Sequence, residues 1–213
     1  MSNRPVKFGL ILSNTERSIH YFNYLKLKKL TPSIVLLYSD QKILPNLKKI
    51  LPRKNFFLIP TNNINNKKIG KYVLSLSEKL FVFSGYPSQI IKNLHLLKKK
   101  TILHSHSGKL PQYKGSTTIF YSILKENSIW CSTFKMNNKI DNGKILMVKK
   151  YNYNQKIFKN FDYFDNLIRI KNICEVLKNK MKNKDNLNKR NNKSYYHVAH
   201  PILRCLSKIN TKK

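Results

Sequence analysis

Residues 80–103 read LFVFSGYPSQIIKNLHLLKKKTIL, and this stretch decides the fold. Its first five residues, Leu80–Ser84, form an apolar run with the length and composition of a buried strand. Pro87 suits the first turn of a helix that we expect to reach about Lys98, because the N–H that proline lacks would be unpaired there. A further strand is expected to begin at residues 101–103. The stretch therefore predicts a strand–helix–strand unit with parallel strands.

The same alternation of strand and helix extends toward the amino terminus. Ser13, Asn14 or Thr15 could cap the first helix, which we expect to end near Lys29. The other predicted elements are strands at 6–12, 33–38 and 55–60, a short helix at 43–51 and an asparagine-rich loop at 61–68.

Strands that alternate with helices predict an α/β fold, a mainly parallel sheet with helices on both faces. Ligands of such sheets bind beyond the carboxyl ends of the strands. We therefore expect residues 13–15, residues 84–86 and the segment after Leu103 to converge on one cleft.

The remainder of the chain predicts an extension of this sheet and a separate carboxyl-terminal part. Ser116 could cap a helix to about Lys125. Strands are predicted at 129–136 and 144–149, and a long helix at 158–181 should pack back on the sheet. We divide the chain into a catalytic domain at 1–150, a packing helix at 151–181, a flexible basic linker at 182–193 and a docking segment at 194–213.

Composition restricts the classes of function. The formal charge is +33, but lysine outnumbers arginine 36 to 6 and asparagine reaches 26, so the excess resembles a compositional bias rather than a dedicated nucleic-acid surface. The amino terminus lacks the pattern of a secretory signal, and no apolar run is long enough to span a membrane. Three widely spaced cysteines do not predict a metal site. We expect a cytoplasmic protein with no membrane partner and no metal.

Two segments contain the candidate catalytic residues. Residues 104–115 read HSHSGKLPQYKG, and about 25 residues later 140–146 read IDNGKIL. His104 and His106 stand two apart at a strand end, so their side chains point the same way. Acyl transfer to an amine needs a proton acceptor and donors for an oxyanion, which histidine and Asp141 can supply. Taken singly, these residues also fit ordinary strand-end histidines and a hairpin turn.

Taken together, the pattern H-x-G-x-L-P-x-Y-x-G followed by I-D-x-G-x-I-L resembles the folate-dependent formyltransferases, which include glycinamide ribonucleotide, methionyl-tRNA and sugar N-formyltransferases. The resemblance is strong over residues 80–150 and implies a Rossmann-like fold of the formyltransferase type and 10-formyltetrahydrofolate as co-substrate. The matching residues are His106, Leu110, Pro111, Tyr113, Lys114, Gly115, Asp141, Gly143 and Ile145.

The resemblance also implies a set of site residues. His104, His106 and Asp141 take the catalytic positions, although His104 replaces the asparagine that donates to the formyl oxygen in the family. An imidazole can do so only if the facing nitrogen is protonated. The implied folate-binding residues are Ser84, Gly85, Tyr86, Ile90 and Ile140, and the implied acceptor-binding residues are Ser13, Asn14, Thr15, Tyr113, Lys114 and Gly115.

For the acceptor, we favour the amine of a nucleotide-linked amino sugar. Glycinamide ribonucleotide enzymes have a glycine-rich first loop that cradles a phosphate, whereas residues 12–17 contain no glycine. Methionyl-tRNA enzymes carry a second domain, for which the roughly 60 residues after Lys150 leave little room. From a different class, a non-catalytic, basic nucleic-acid-binding relative stays open as an alternative.

Overall fold

The computed structural model describes residues 6–179 and 195–209. Its strands are β1 (Gly9–Ser13), β2 (Ile34–Tyr38), β3 (Phe56–Ile59), β4 (Leu80–Ser84), β5 (Thr101–His106), β6 (Lys114–Gly115), β7 (Ile129–Lys135), β8 (Lys144–Tyr151) and β9 (Tyr195–Tyr196). Its α-helices are α1 (Glu16–Leu27), α2 (Pro45–Ile50), α3 (Lys67–Ser75), α4 (Leu94–Lys99), α5 (Thr118–Glu126), α6 (Phe161–Lys178) and α7 (Pro201–Ile209), and a 3-10 helix spans Gln155–Asn160.

Seven strands form one sheet in the order β3-β2-β1-β4-β5-β7-β8. The first five strands of this order are parallel, while β7 runs antiparallel to both β5 and β8. The two faces carry separate apolar cores. Leu10 and Val82 pack with residues of α1 and α6 on one face, whereas Ile11 and Phe81 pack with residues of α3 and α4 on the other. The predicted mainly parallel sheet with helices on both faces is confirmed.

The predicted helix start at Pro87 is wrong, whereas the predicted helix end near Lys98 agrees with α4. Residues 87–93 form a loop, and α4 begins only at Leu94, where the Asn93 side chain accepts a hydrogen bond from Leu96 N at 2.9 Å. Asn65 holds the loop, because its amide donates to Ile90 O at 2.9 Å and its carbonyl accepts from Lys92 N at 2.7 Å. These polar contacts from a distant part of the chain satisfy backbone groups that a helix would otherwise have paired.

The predicted helix caps are also wrong. Thr15 precedes α1, but its side chain makes no capping bond and lies instead beside the Ser18 hydroxyl. The residue before α5 is Thr117 rather than Ser116, and its left-handed backbone (φ 49°) is held by a bond from Ala199 N to its hydroxyl at 2.6 Å. The Thr15 hydroxyl is used in local contacts with Ser13 and Ser18, whereas the Thr117 hydroxyl is used in a tertiary contact with Ala199.

The carboxyl-terminal segment packs on the body of the protein. β9 pairs in parallel with β6, and the Tyr196 ring stacks on Tyr113 with centroids 5.3 Å apart. Neither β6, β9 nor α3 was expected from the sequence. The predicted linker at 182–193 and both ends of the predicted docking segment lie outside the described residues. Within the described part of the chain, no helix has the length and apolar character of a membrane span.

Candidate active site

A cavity of about 600 Å³ opens beyond the carboxyl ends of β4 and β5. The loop after β4 supplies Tyr86 and Ile90 to its wall, and the end of β5 supplies His104 and His106. The loop between β7 and β8 adds Ile140 and Asp141, and the segment that begins with β9 closes another side. The cleft that the parallel topology predicts is therefore present, and it contains all three predicted catalytic residues.

His106 is held by hydrogen bonds on one side of its ring. Its Nε2 lies 2.7 Å from Tyr113 O, a carbonyl that can only accept, so this nitrogen carries the proton. Nε2 also lies 3.0 Å from the Thr118 hydroxyl, which in turn donates to Ser107 O at 2.6 Å. The remaining nitrogen, Nδ1, lies 3.5 Å from Asp141 Oδ2. Nδ1 is therefore the nitrogen of His106 at which a proton can arrive.

Asp141 joins the two halves of the motif. Its carboxylate accepts a hydrogen bond from Gly115 N at 2.9 Å while facing His106, so the loop after β5 and the loop before β8 meet at this residue. Asp141 has a left-handed backbone with φ 46°. Gly143 permits this turn, because a Cβ at that position would overlap the backbone carbonyl of Lys135. The D-x-G spacing thus places a carboxylate beside the imidazole.

Gly108 has a comparable role beneath His106. A Cβ at this residue would lie 2.6 Å from His106 Nε2 and 2.6 Å from the Thr118 hydroxyl. These separations are too short for a carbon atom, so the hydrogen bonds that orient the imidazole require glycine here. The motif residues 104–115 therefore build the site through their packing as well as through their reactive groups.

His104 has a different environment from His106. Its ring lies between Phe83 and Phe134, with each centroid 5.8 Å away, and its Nδ1 donates to Phe83 O at 3.2 Å. Burial, followed by the positive charge of Arg169, lowers the pKa of His104 to about 3. The ring is neutral with its proton on Nδ1, which leaves Nε2 as an acceptor. This geometry disagrees with the expectation that His104 donates to the formyl oxygen.

A partly buried cluster of charged residues lies beneath the histidines and was not predicted from the sequence. Arg169 donates to Asp165 Oδ2 at 2.9 Å and to Ser105 O at 2.7 Å, while Ser107 donates to the other Asp165 oxygen. Burial alone would raise the pKa of Asp165, but the charges of Arg169 and Arg17 outweigh it and hold the pKa below its usual range. The i,i+4 spacing of Asp165 and Arg169 on the predicted helix was the available signal.

Several predicted binding residues do not reach the cavity. The Ser13 and Ser84 side chains are fully buried, and Ser13 Oγ donates to Ser84 O at 3.1 Å. Asn14 bonds to the backbone of the loop after β2. Tyr113 directs its hydroxyl at Glu126. Of the predicted binding residues, Tyr86, Ile90, Ile140 and Gly115 line the cavity, whereas Ser13, Asn14, Thr15, Ser84, Gly85, Tyr113 and Lys114 do not.

The structure places a residue of α1, and none of the predicted residues of the first loop, at the cavity. Arg17, the second residue of α1, lines the cavity, and residues 13–15 do not. Polar side chains at a strand end can be satisfied within the protein, as Ser13 and Ser84 are here through bonds that involve Ser84 O and Ser18 of α1, and they are then unavailable to a ligand.

No protein-family model matches the sequence. Among curated proteins, 103 residues align at 29% identity with the methionyl-tRNA formyltransferase of Finegoldia magna. This alignment covers 47% of the present chain and spans a third, 33%, of the length of that relative.

Solved structures resemble the whole chain more extensively. A 4-N formyltransferase from Francisella tularensis has a TM-score of 0.64 at 14% identity, covering 98% of this chain and 88% of that one. An N-formyltransferase from Helicobacter canadensis, in complex with folinic acid and dTDP-3-aminofucose, has a TM-score of 0.57 at 15% identity, with 97% and 80% covered. Glycinamide ribonucleotide transformylase 1 from Symbiobacterium toebii has a TM-score of 0.63 at 12% identity, with 84% and 89% covered.

These similarities and the seven-stranded sheet define the class of fold. The chain has the α/β, Rossmann-like fold of the formyltransferases, as the composite motif predicts.

Proposed function

We propose that this protein transfers a formyl group from 10-formyltetrahydrofolate to an amine. The observation that carries the proposal is the His106–Asp141 pair, held together at the cavity by Gly115 N and lying beside the loop that supplies Tyr86 and Ile90. A flat heterocycle such as a pterin fits the side of the cavity beside this loop, because Tyr86, Ile90 and Ile140 present aromatic and apolar surface there.

In the proposed reaction, the amine nitrogen of the acceptor attacks the formyl carbon, and the bond between that carbon and the folate nitrogen breaks. The amine loses one proton as its new C–N bond forms, and the folate nitrogen gains one as it leaves, so the products are a formamide and tetrahydrofolate. His106 Nδ1 takes up the proton because Nε2 is committed to Tyr113 O. Asp141, 3.5 Å away, stabilises the resulting imidazolium.

We assign His104 a different role from the family asparagine. With its proton held at Phe83 O, Nε2 of the neutral ring can accept a hydrogen bond from the attacking amine and orient its lone pair. The protonated His106 Nδ1 is then the group that can donate to the oxyanion of the tetrahedral intermediate. This division of roles uses one imidazole to accept and the other to donate.

For the acceptor we propose a nucleotide-linked amino sugar. The Helicobacter canadensis N-formyltransferase structure, which is a complex with folinic acid and dTDP-3-aminofucose, supports this choice. In the present chain, Tyr195, His197 and Arg204 of the carboxyl-terminal segment line the cavity, which supplies aromatic and cationic groups suited to a nucleotide. The first loop argues against glycinamide ribonucleotide as the acceptor. This loop has no glycine, and the Asn14 side chain bonds to Lys42 O and Leu44 N, so it is unavailable to a phosphate.

The test is a screen of purified protein with 10-formyltetrahydrofolate and a panel of nucleotide amino sugars, glycinamide ribonucleotide and charged methionyl-tRNA. Release of tetrahydrofolate is followed, with the Asp141→Asn variant and reactions lacking an amine as controls. We expect amine-dependent release with a nucleotide amino sugar. The proposal would be rejected if none of these amines caused the parent protein to release tetrahydrofolate faster than the Asp141→Asn variant does.

A further inference from the structure

The distribution of arginine in this chain is uneven. The sequence contains 36 lysines and only six arginines. Of the four arginines that the structure describes, Arg17, Arg169 and Arg204 line the cavity and Arg53 is exposed elsewhere, whereas Lys139 is the one cavity-lining lysine of the described part of the chain. Guanidinium groups bind phosphate oxygens through paired hydrogen bonds, which an ammonium group cannot do. Their concentration at the cavity indicates a ligand with an oxyanion.

Two of the three cavity arginines have evident structural contacts. Arg169 pairs with Asp165 and bonds to Ser105 O. Arg204 donates from Nε to Ala199 O at 2.9 Å, and its guanidinium lies over the Phe120 ring, 5.6 Å from the centroid. These contacts hold α6 against β5 and the carboxyl-terminal segment against α5.

Arg17 lacks a comparable set of contacts. Its Nε donates to the neutral amide oxygen of Asn166 at 3.1 Å, and within residues 6–179 and 195–209 no hydrogen bond or ion pair reaches its two terminal amino groups. The nearby Asp165 carboxylate is occupied on both oxygens, by Ser107 and by Arg169. Burial and then the charge of Arg169 lower the pKa of Arg17, as expected for a desolvated cation beside another cation.

The charges around Arg17 leave one positive charge uncompensated. Arg17 and Arg169 both lie near the partly buried carboxylate of Asp165, which pairs with Arg169, and Asp162 at the cavity rim is exposed and forms no ion pair with Arg17. A partly buried cation without an ion-pair partner costs folding free energy, so a protein retains one where a ligand supplies the counter-charge.

We propose that Arg17 is the residue that binds a phosphate oxyanion of the proposed nucleotide-linked acceptor. The terminal amino groups of Arg17 provide the paired donors, and the bound phosphate neutralises the excess charge of the Arg17–Asp165–Arg169 cluster. The identification of the ligand as the acceptor rests on the proposed function. Binding of an oxyanion by Arg17 does not depend on that function. This inference also assigns the phosphate contact to α1 in a chain whose first loop has no glycine.

The test measures binding of inorganic pyrophosphate by calorimetry at fixed ionic strength, without folate. Because the protein carries a charge of +33, a matched control must remove an exposed arginine, and Arg53→Gln does so. We expect Arg17→Gln to weaken binding by about tenfold or more, since hydrogen bonds to charged groups contribute about 1.5–3 kcal/mol. The pyrophosphate affinity of Arg17→Lys should lie between those of the parent and Arg17→Gln, and the affinity of Arg53→Gln should stay within about twofold of the parent value. Equal affinity in Arg17→Gln and Arg53→Gln, or no binding by the parent protein, would overturn the proposal.

A second measurement separates a ligand anchor from a structural cation. Thermal unfolding of the ligand-free Arg17→Met variant should give a midpoint equal to or above that of the parent, because the substitution removes an uncompensated buried charge. A large decrease in the midpoint would show that Arg17 supports the fold instead. The two proposals can fail separately. If the parent protein transferred no formyl group but bound pyrophosphate, and Arg17→Gln lost that binding, this inference would stand and the proposed function would be rejected.

Discussion

The environment of His104 predicts a measurable acid sensitivity of the fold. Its pKa falls from an ordinary 6.5 to about 3 because the ring is buried between two phenylalanines and near Arg169. Between these two values the unfolded chain binds a proton that the folded protein does not. The stability that the neutral ring provides is therefore complete above about pH 6.5 and is lost as the pH falls below it.

The magnitude follows from the distance in pH below the unfolded pKa. One pKa unit corresponds to about 1.4 kcal/mol, so His104 should lower the free energy of unfolding by about 3 kcal/mol between about pH 7 and pH 4.5. Urea denaturation at both pH values gives the free energy of unfolding of the parent protein and of His104→Asn. The contribution of His104 is the difference between the losses of unfolding free energy that the two proteins show on acidification. His95→Asn, at an exposed position, is the matched control and should behave as the parent.

Two results would refute this reasoning. If His104→Asn lost as much stability as the parent on acidification, the His104 ring would not be held neutral by the fold. If a kinetic group titrating near neutrality disappeared in His104→Asn, the imidazolium would be populated in the active protein, and a donor role for His104 would be restored.

Three further predictions concern the site. His106→Ala and Asp141→Asn should each lower turnover by at least about 100-fold in the tetrahydrofolate-release assay, with circular dichroism unchanged, and near-parental rates in both would remove these residues from the mechanism. Gly143→Ala should lower the free energy of unfolding by about 1–3 kcal/mol in urea because its Cβ overlaps a backbone carbonyl, whereas Gly70→Ala meets a flexible side-chain amide and should be near neutral; equal effects would contradict the packing argument. Tyr196→Ala should weaken acceptor binding by about tenfold and leave folate affinity unchanged, since stacking on its neighbour contributes up to about 1.5 kcal/mol; an equal loss of both affinities would show a general collapse.

The sheet could be predicted because its strands are buried on both faces. Ile34–Tyr38 and Leu80–Ser84 are continuous apolar runs whose bounds follow from composition alone. The loop after β4 could not be predicted in the same way. Pro87 locally favours a helix, but Asn65, more than 20 residues earlier in the chain, bonds to the backbone of this loop and fixes it as irregular structure.

The candidate site shows a similar division. The positions of His106 and Asp141 follow from a motif whose glycines make their approach possible. The protonation of His104 does not follow, because it depends on Phe83 O of the neighbouring strand and on Arg169 of a helix far along the chain. The place of the first loop does not follow from the sequence either, since the Ser13 hydroxyl bonds to Ser84 O, and the nearby residue that lines the cavity is Arg17 of α1.

The central claim is that the His106–Asp141 pair moves a formyl group to an amine. It is tested most directly with 10-formyltetrahydrofolate labelled in the formyl carbon, incubated with the parent protein or with Asp141→Asn and a nucleotide amino sugar, followed by mass spectrometry of the sugar. The account predicts labelled formamide on the sugar with the parent protein and at least about 100-fold less with the variant. Label that remains in folate or appears only as free formate, equally with both proteins, would contradict it.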